Sequence, residues 1–260
     1  MSRARRIAVL SFSVVSYAVF FGTFLYLIGF VTDLWVPRSV SRGGQALPLG
    51  WAVVVDLGLV ALFGAQHSVM ARAGFKSWMG RHLEPAAGRS LFVLAASGVL
   101  ILMFATWQPL SAPLWDLGGT VGGRLLFMGQ LAGWLMVLVS TFLIDHFELF
   151  GLRQAYAFLR GREFTPPAMK TPGLYRFVRH PIYLGLLIAF WSAPTMTLGR
   201  LVFALGMSGY ILVGIRFEER DLIAHFGETY RAYRARVGML LPRPMRPKSE
   251  QVPGLQRREE

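Results

Sequence analysis

Long apolar segments constrain what this chain can fold into more than any other feature of its sequence. Five regions are apolar over a length that can cross a bilayer, which takes about 20 helical residues. These regions are Ile7–Val31, Leu49–Met70, Ser90–Trp107, Arg124–His146 and Pro181–Phe217. Of the 260 residues, 54% are hydrophobic and only 16% are charged, whereas soluble domains have about 25% charged residues. The sequence therefore predicts an all-α fold, a polytopic integral membrane helical bundle.

The last apolar region leaves the number of crossings open. Its middle contains Ala193-Pro194-Thr195, and a proline at that place favours a turn over a continuous helix. Two crossings joined there would form a C-terminal helical hairpin and give six transmembrane helices, whereas one long broken helix would give five. We therefore expect five to six transmembrane helices.

The basic charge of the chain indicates its orientation. The sequence has 27 Lys and Arg against 14 Asp and Glu, a formal net charge of +13. With six crossings, nearly all of the basic residues fall on the side of the N-terminus, and the positive-inside rule then places both termini in the cytoplasm. Because topology accounts for the charge, we expect a lipid bilayer and no nucleic acid as the partner.

The C-terminal part is predicted to leave the membrane. Phe226–Arg234 alternates aromatic and basic residues, which is typical of an amphipathic cytoplasmic interfacial helix. The chain then becomes rich in proline and arginine. We expect residues 1–242 to form a single transmembrane domain and residues 243–260 a mobile basic cytoplasmic tail.

Ionisable residues inside predicted spans are candidates for function, because their burial in lipid is costly. Asp56 and His67 lie eleven residues apart on the second span, and therefore nearly on one helical face. For Asp56 a structural clamp between helices is favoured over a functional role. For His67 an interfacial histidine and a functional group are equally good interpretations. The chain has no cysteine, which excludes disulfides, thiolate metal sites and a cysteine nucleophile.

A second group of ionisable residues ends the fourth span. Asp145, His146 and Glu148 lie among aromatic and aliphatic neighbours. Two acids at a helix C-terminus oppose the helix dipole, so we expect them to have partners, with Arg153 as one candidate. A structural ion-pair cluster is the alternative to a functional site. These groups and His67 have the chemistry of metal ligands, but no ligand spacing requires a metal and we expect none.

The most informative element begins the last apolar region. Pro181 suits the first position of a helix, so the free N–H groups at that helix N-terminus would lie beside Arg179 and His180 and form an anion site. The hairpin would return the adjacent acids Glu218 and Glu219 to the same membrane face. Together these residues predict a pocket for a zwitterion.

These motifs resemble a known family. Arg179-His180-Pro181-x-Tyr183, Glu218-Glu219, Phe226-Gly227-x-x-Tyr230-x-x-Tyr233 and Leu241-Pro242 are similar to the signature of integral-membrane methyltransferases, which include isoprenylcysteine carboxyl and phospholipid N-methyltransferases. Further stretches resemble bacterial methanethiol S-methyltransferases of the nurim-like family, and the similarity runs nearly end to end. These stretches are Gln66–Arg72, Ser140–Gln154 and Phe190–Thr197.

The resemblance implies an enzyme of the bacterial inner membrane that uses S-adenosylmethionine as methyl donor and a small volatile thiol, methanethiol, as acceptor, giving dimethyl sulfide. It implies that the donor is bound by Tyr175, Arg179, His180, Pro181, Tyr183, Gly185, Glu218 and Glu219. A lipid or prenylcysteine acceptor is the alternative, and a non-catalytic nurim-like membrane protein is the alternative of another class. Nothing in the sequence identifies a protein partner.

Methyl transfer to a thiol requires a thiolate, and a free thiol has a pKa of about 8.5. We therefore expect a catalytic base, either His146 or His67, oriented by Asp145 or Glu148. A thiolate and a sulfonium lose their charges in the transition state, so an apolar pocket favours the reaction.

Overall fold

The computed structural model describes residues 2–44, 47–165 and 167–243. Apart from Arg243, the tail that the sequence predicts to be mobile lies outside these residues. Five helices are long and apolar enough to cross a membrane, which confirms the polytopic helical bundle. They are α1 (Arg3–Thr32), α2 (Leu49–Ala71), α4 (Pro85–Thr106), α5 (Val121–Ile144) and α9 (Leu198–Phe226).

Shorter elements connect the long helices. Four of them are helical and precede α8 in the chain: α3 (Ala73–Gly80), α6 (His146–Leu149), α7 (Leu152–Leu159) and a 3-10 turn (Gly173–Arg176). The other four are β1 (Pro113–Asp116), α8 (Pro181–Trp191), β2 (Thr195–Thr197) and α10 (Glu228–Arg236). The two strands pair antiparallel, with Thr195 opposite Asp116, and this small sheet was not predicted from the sequence.

The last apolar region crosses the bundle twice. Its first half, α8, starts beside Glu219 near the end of α9, and its second half, α9, starts directly after β2 at the opposite end. The distance along α9 from Leu198 to Glu219 is roughly 30 Å, of which the 11 residues of α8 cover only about 16 Å. The extended segment 192–197 covers the remainder, and its pairing with β1 satisfies backbone groups that lipid cannot. The predicted hairpin is confirmed, and its first arm consists of helix α8 followed by the extended segment that ends in β2.

Helix α8 is fixed by close packing on α5. A Cβ atom on Gly133 would lie 2.6 Å from the carbonyl oxygen of Gly185, and one on Gly185 would lie 2.7 Å from the carbonyl oxygen of Gly133. The two helices therefore touch backbone to backbone, as small residues allow in membrane bundles. The Gln130 amide also donates to the Ala189 carbonyl across 3.0 Å. This contact sets the position of the α8 N-terminus.

Ion pairs and polar clamps close the end of the bundle that is remote from α10. The buried Arg200 guanidinium lies 2.7 Å from the Asp33 carboxylate. Asp56, fully buried in α2, accepts a hydrogen bond of 2.8 Å from the Gln108 N–H, two residues after the end of α4. Asp56 is therefore the clamp between helices that the sequence analysis favoured.

Helix α10 closes the other end. Gly227, with φ of +57°, turns the chain out of α9, and Tyr230 and Tyr233 bury one face of α10. The Tyr233 hydroxyl donates to the Tyr175 carbonyl across 2.6 Å. The segment after α10 then runs beside the start of α8, where the Arg179 N–H donates to the Gly238 carbonyl across 2.8 Å. The amphipathic helix predicted here exists and covers the entry to α8.

Candidate functional site

Two residues far apart in the sequence meet at the start of α8. The Arg179 Nε atom lies 2.7 Å from Glu219 Oε1, and both side chains are at most 8% exposed. Glu219 also interacts with His180 Nε2 at 3.1 Å and with Arg234 Nε at 3.2 Å. The prediction that the hairpin returns Glu219 to Arg179 and His180 is confirmed.

The buried pair is bonded to further protein groups. Arg179 Nη1 donates to the carbonyls of Arg234, across 3.2 Å, and of Val237. Charged groups buried in a protein need such partners, since an uncompensated one is costly. The arrangement ties α8, α9 and α10 together, and it leaves Arg179 few donors for a ligand.

Glu218 faces a different environment from its neighbour Glu219. Its side chain is 44% exposed, and its carboxylate lies 3.9 Å from His180 Nδ1. The Tyr183 hydroxyl is next to this carboxylate, and Tyr175 and Tyr210 are within range of its charge. Burial, and then the charge of Glu218, raise the pKa of the Tyr175 phenol, so it remains a hydrogen-bond donor at neutral pH.

Arg89 joins this group from α4. Its Nε atom donates to the Leu149 carbonyl across 2.7 Å, and its charge interacts with Glu148, Glu218 and Tyr183. In the sequence, Arg89 is one of the basic residues just outside the predicted third span, which begins at Ser90. Because α4 starts at Pro85, one turn earlier than the predicted span, Arg89 lies inside the helix. A helix start assigned to Pro85 would have marked it as a charge within a span.

Glu148 and Asp145 lie near the end of α5 but have separate partners. Burial raises the pKa of Glu148, while Arg89 and Lys170 oppose the shift. Asp145 pairs with Arg153, the partner suggested by the sequence, and accepts from the Glu148 N–H across 3.0 Å. Among the described residues, neither carboxylate is paired with His146.

His146 is enclosed on the opposite side of α6. Its Nε2 lies 2.8 Å from the Tyr17 hydroxyl and its Nδ1 lies 2.9 Å from Thr141 Oγ1. The Thr141 hydroxyl proton is donated to the Leu138 carbonyl, so Nδ1 carries the ring proton and Nε2 accepts from Tyr17. Burial lowers the pKa of His146. Both ring nitrogens are therefore occupied, and the sequence provided no signal for Tyr17.

His67 has the opposite character. Its ring packs on Phe63, Phe92 and Tyr210, with centroid distances of 5.4, 4.6 and 6.0 Å. Its Nδ1 atom is buried and has no hydrogen-bond partner among the residues that the structure describes. Since Tyr210 is near Glu218 and the charge of Arg89 reaches His67, this histidine lies beside the polar group around Glu218.

Two of the residues predicted to bind the donor, Pro181 and Gly185, lie in packing contacts of α8. Pro181 is the first residue of α8, directly after His180, and it is buried. Gly185 faces α5, where a Cβ atom would lie 3.0 Å from Val137 Cγ2. The polar group around Glu218 thus contains Tyr175, His180 and Tyr183, and Arg89 and His67 lie beside it. In the described ranges, no cluster of three or more His, Asp or Glu residues is arranged to hold a metal.

The chain is similar to one protein-family model and to several curated proteins. The family model described as a protein of unknown function (DUF1295) matches residues 87–237. Methanethiol S-methyltransferase 2 of Bradyrhizobium diazoefficiens is 50% identical over 92% of this chain and 91% of its own length. Methanethiol S-methyltransferase of Mycobacterium tuberculosis is 49% identical over 93% and 99%, respectively. Nurim of Sus scrofa is 33% identical over 68% of each chain.

No solved structure matches the chain. The family model covers α5, α8, α9, α10 and nearly all of α4, and the two methyltransferases each match more than nine tenths of the chain. The chain therefore belongs to the DUF1295 family of integral membrane proteins, together with bacterial methanethiol S-methyltransferases and nurim.

Proposed function

We propose that this protein is a methanethiol S-methyltransferase that uses S-adenosylmethionine and releases dimethyl sulfide and S-adenosylhomocysteine. The observation that carries the proposal is the near full-length similarity, at 50% and 49% identity, to proteins that bear this name. The donor supplies an electrophilic methyl group on a sulfonium. The thiolate sulfur bonds to the methyl carbon, the donor's carbon–sulfur bond breaks, and its electron pair stays on the adenosylhomocysteine sulfur.

The polar group around Glu218 has the chemistry that this donor requires. A half-exposed carboxylate is suited to an ammonium group or to ribose hydroxyls, and the Tyr175 and Tyr183 hydroxyls are further hydrogen-bond partners. His180, held on its other side by Glu219, is fixed next to Glu218. In this proposal Arg179 and Glu219 shape the donor site, and Glu218, Tyr175 and Tyr183 contact the donor.

We assign the thiol proton to His67. Its unpartnered Nδ1 atom can accept a proton, and its ring lies beside Tyr210 at the edge of the donor site. His146 suits this role less well, because Tyr17 and Thr141 occupy its two nitrogens. The aromatic rings of Phe63 and Phe92 around His67 exclude water, which favours a step in which two opposite charges disappear.

A groove between α2 and α9 supports an acceptor that arrives through lipid. It has a volume of about 450 Å³, is lined mainly by apolar and small residues, and reaches Tyr210. Methanethiol is small and apolar enough to take such a route. The same groove favours the second candidate function, methylation of a lipid or prenylcysteine acceptor.

The acceptor assay separates these candidates. Purified protein in detergent receives donor with a labelled methyl group, together with methanethiol, a larger thiol or a bacterial lipid extract. We expect labelled dimethyl sulfide in the headspace with methanethiol, and far less product with the other acceptors. Label in the lipid fraction instead would support the second candidate. Absence of both product and donor binding would support a non-catalytic protein.

The orientation in the membrane is part of the proposal, with both termini in the cytoplasm of a bacterium and the protein in its inner membrane. Because the chain has no cysteine, single cysteines can be placed freely. Ser2→Cys marks the α1 N-terminus and Trp35→Cys, at a 97% exposed position, marks the opposite end. In right-side-out membrane vesicles, an impermeant maleimide should label only the second variant, and the reverse result would invert the topology.

A further inference from the structure

We propose that Arg89 binds the carboxylate of the aminoacyl end of the methyl donor. The proposal rests on the proposed function, because it concerns how the same site holds S-adenosylmethionine. It replaces the expectation that Arg179 and the α8 N-terminus bind this carboxylate.

The guanidinium of Arg89 is fixed but not saturated. Its Nε atom donates to the Leu149 carbonyl across 2.7 Å, and its Cζ atom lies 5.1 Å from the centre of the Phe92 ring. Within the described part of the chain, neither terminal nitrogen has a hydrogen-bond partner. Two terminal nitrogens with a fixed direction are suited to bidentate binding of a carboxylate.

Arg179 differs in this respect. It is buried and bonded to Glu219, to the Arg234 carbonyl and to the Val237 carbonyl. Only its Nη2 atom has no partner among the described residues, so a carboxylate held by two nitrogens of Arg179 would have to displace a protein group. At Arg89 it would have to displace none, so the cost of binding there is lower.

The charges around Arg89 match the two ends of an amino acid. Glu148 and Glu218 both lie within range of the Arg89 charge, so one cation interacts with two anionic groups. The donor carries a carboxylate and an ammonium on one carbon atom. Arg89 is placed to take the carboxylate while Glu218 takes the ammonium.

Two ligands isolate this contact. S-Adenosylhomocysteine carries the aminoacyl end, and 5′-methylthioadenosine lacks it while keeping the adenosyl and thioether parts. Affinities of both are measured by calorimetry on the full chain in detergent. We expect Arg89→Gln to weaken binding of S-adenosylhomocysteine about 10- to 100-fold, as loss of hydrogen bonds to a charged group does. Binding of 5′-methylthioadenosine should change less than about twofold, since it never makes this contact.

Three further variants control the experiment. Arg89→Lys keeps the charge without the planar fork and should give an intermediate loss for S-adenosylhomocysteine. Lys170→Gln removes the other cation near Glu148, and Arg81→Gln removes an exposed charge at the same end of the bundle. Both should bind the two ligands as the unaltered protein does.

Equal affinity of Arg89→Gln and the unaltered protein for S-adenosylhomocysteine would overturn the proposal. So would a parallel loss of both ligands in Arg89→Gln and Arg89→Lys, because it would indicate a structural role, or a selective loss in Lys170→Gln. A selective effect at Arg89 in a protein that makes no dimethyl sulfide would leave this inference standing and refute the proposed acceptor.

Discussion

Two arginine–glutamate centres lie side by side in this protein, and they differ in what remains free. In the first, Arg179 and Glu219 are buried at 2.7 Å and bonded to further protein groups. In the second, Arg89 and Glu218 interact through their charges, but Glu218 is half-exposed and the Arg89 terminal nitrogens have no partner among the described residues. Adjacent residues of one motif therefore have different roles: Glu219 holds the helices together, and Glu218 is left to contact a ligand.

The division follows from helix geometry. Glu218 and Glu219 are neighbours on α9, and successive residues on a helix point about 100° apart. One side chain therefore turns into the contact between α8 and α10, and the other turns toward α4. The predictions below separate the structural centre from the ligand centre, in order of expected effect.

Breaking the structural centre should have the largest effect. Glu219→Ala leaves buried Arg179 without its carboxylate, and removing one partner of a buried pair costs about 3–5 kcal/mol. Thermal unfolding in detergent should show a much lower midpoint, with donor binding lost at the same time. The matched change Glu228→Ala, which removes an exposed pair with Arg231, should leave the midpoint nearly unchanged. A Glu219→Ala protein as stable as the unaltered one would remove this centre from the fold.

Removing the base should reduce turnover without reducing donor binding. We expect His67→Gln to lower kcat about 10²- to 10⁴-fold, the usual contribution of a general base. The affinity for S-adenosylhomocysteine should stay the same. His146→Gln is the matched control and should keep most of its turnover. The opposite ranking of the two histidine variants would return the role of base to His146.

Glu218→Gln should affect the donor and spare the fold. The substitution keeps the size of the side chain and removes its charge, so the apparent donor affinity should fall about 10- to 100-fold through a weaker contact with a cation. The unfolding midpoint should match that of the unaltered protein, in contrast to Glu219→Ala. A large loss of stability in Glu218→Gln would show that the two glutamates act alike.

The smallest effect concerns the pH dependence of stability. Burial lowers the pKa of His146 below its ordinary value of 6.5, so the unfolded chain takes up a proton before the folded chain does. Stability should therefore fall as the pH decreases through about 6.5. Between about pH 7.5 and about pH 5.5 the unfolding midpoint should drop less in His146→Gln than in the unaltered protein. Equal drops would contradict the buried neutral ring.

Much of the fold could be predicted from the sequence, because apolar length and the position of proline determine it. The long helices, the return of α9 to the start of α8 and the amphipathic α10 all follow from such patterns. The β1–β2 pair could not be predicted, since it depends on how far the short α8 reaches. Hydropathy shows that a segment is apolar, but it does not show whether a helix or a strand completes the crossing.

Part of the site could also be predicted from the sequence. The meeting of Arg179, His180 and Glu219 followed from the hairpin, but which of their donors stay free depends on carbonyls of Arg234 and Val237 that no motif reveals. The separation of His146 from Glu148 depends on the break at Asp145, after which the two side chains have different partners. Such orientations are set by tertiary contacts.

A structure of the protein in complex with S-adenosylhomocysteine tests the central claim most directly. The account predicts the ligand carboxylate at hydrogen-bond distance, about 3 Å, from the Arg89 guanidinium, the ammonium next to Glu218, and an intact Arg179–Glu219 pair. A carboxylate bound to Arg179, with that pair opened, would contradict the division between a structural centre and a ligand centre.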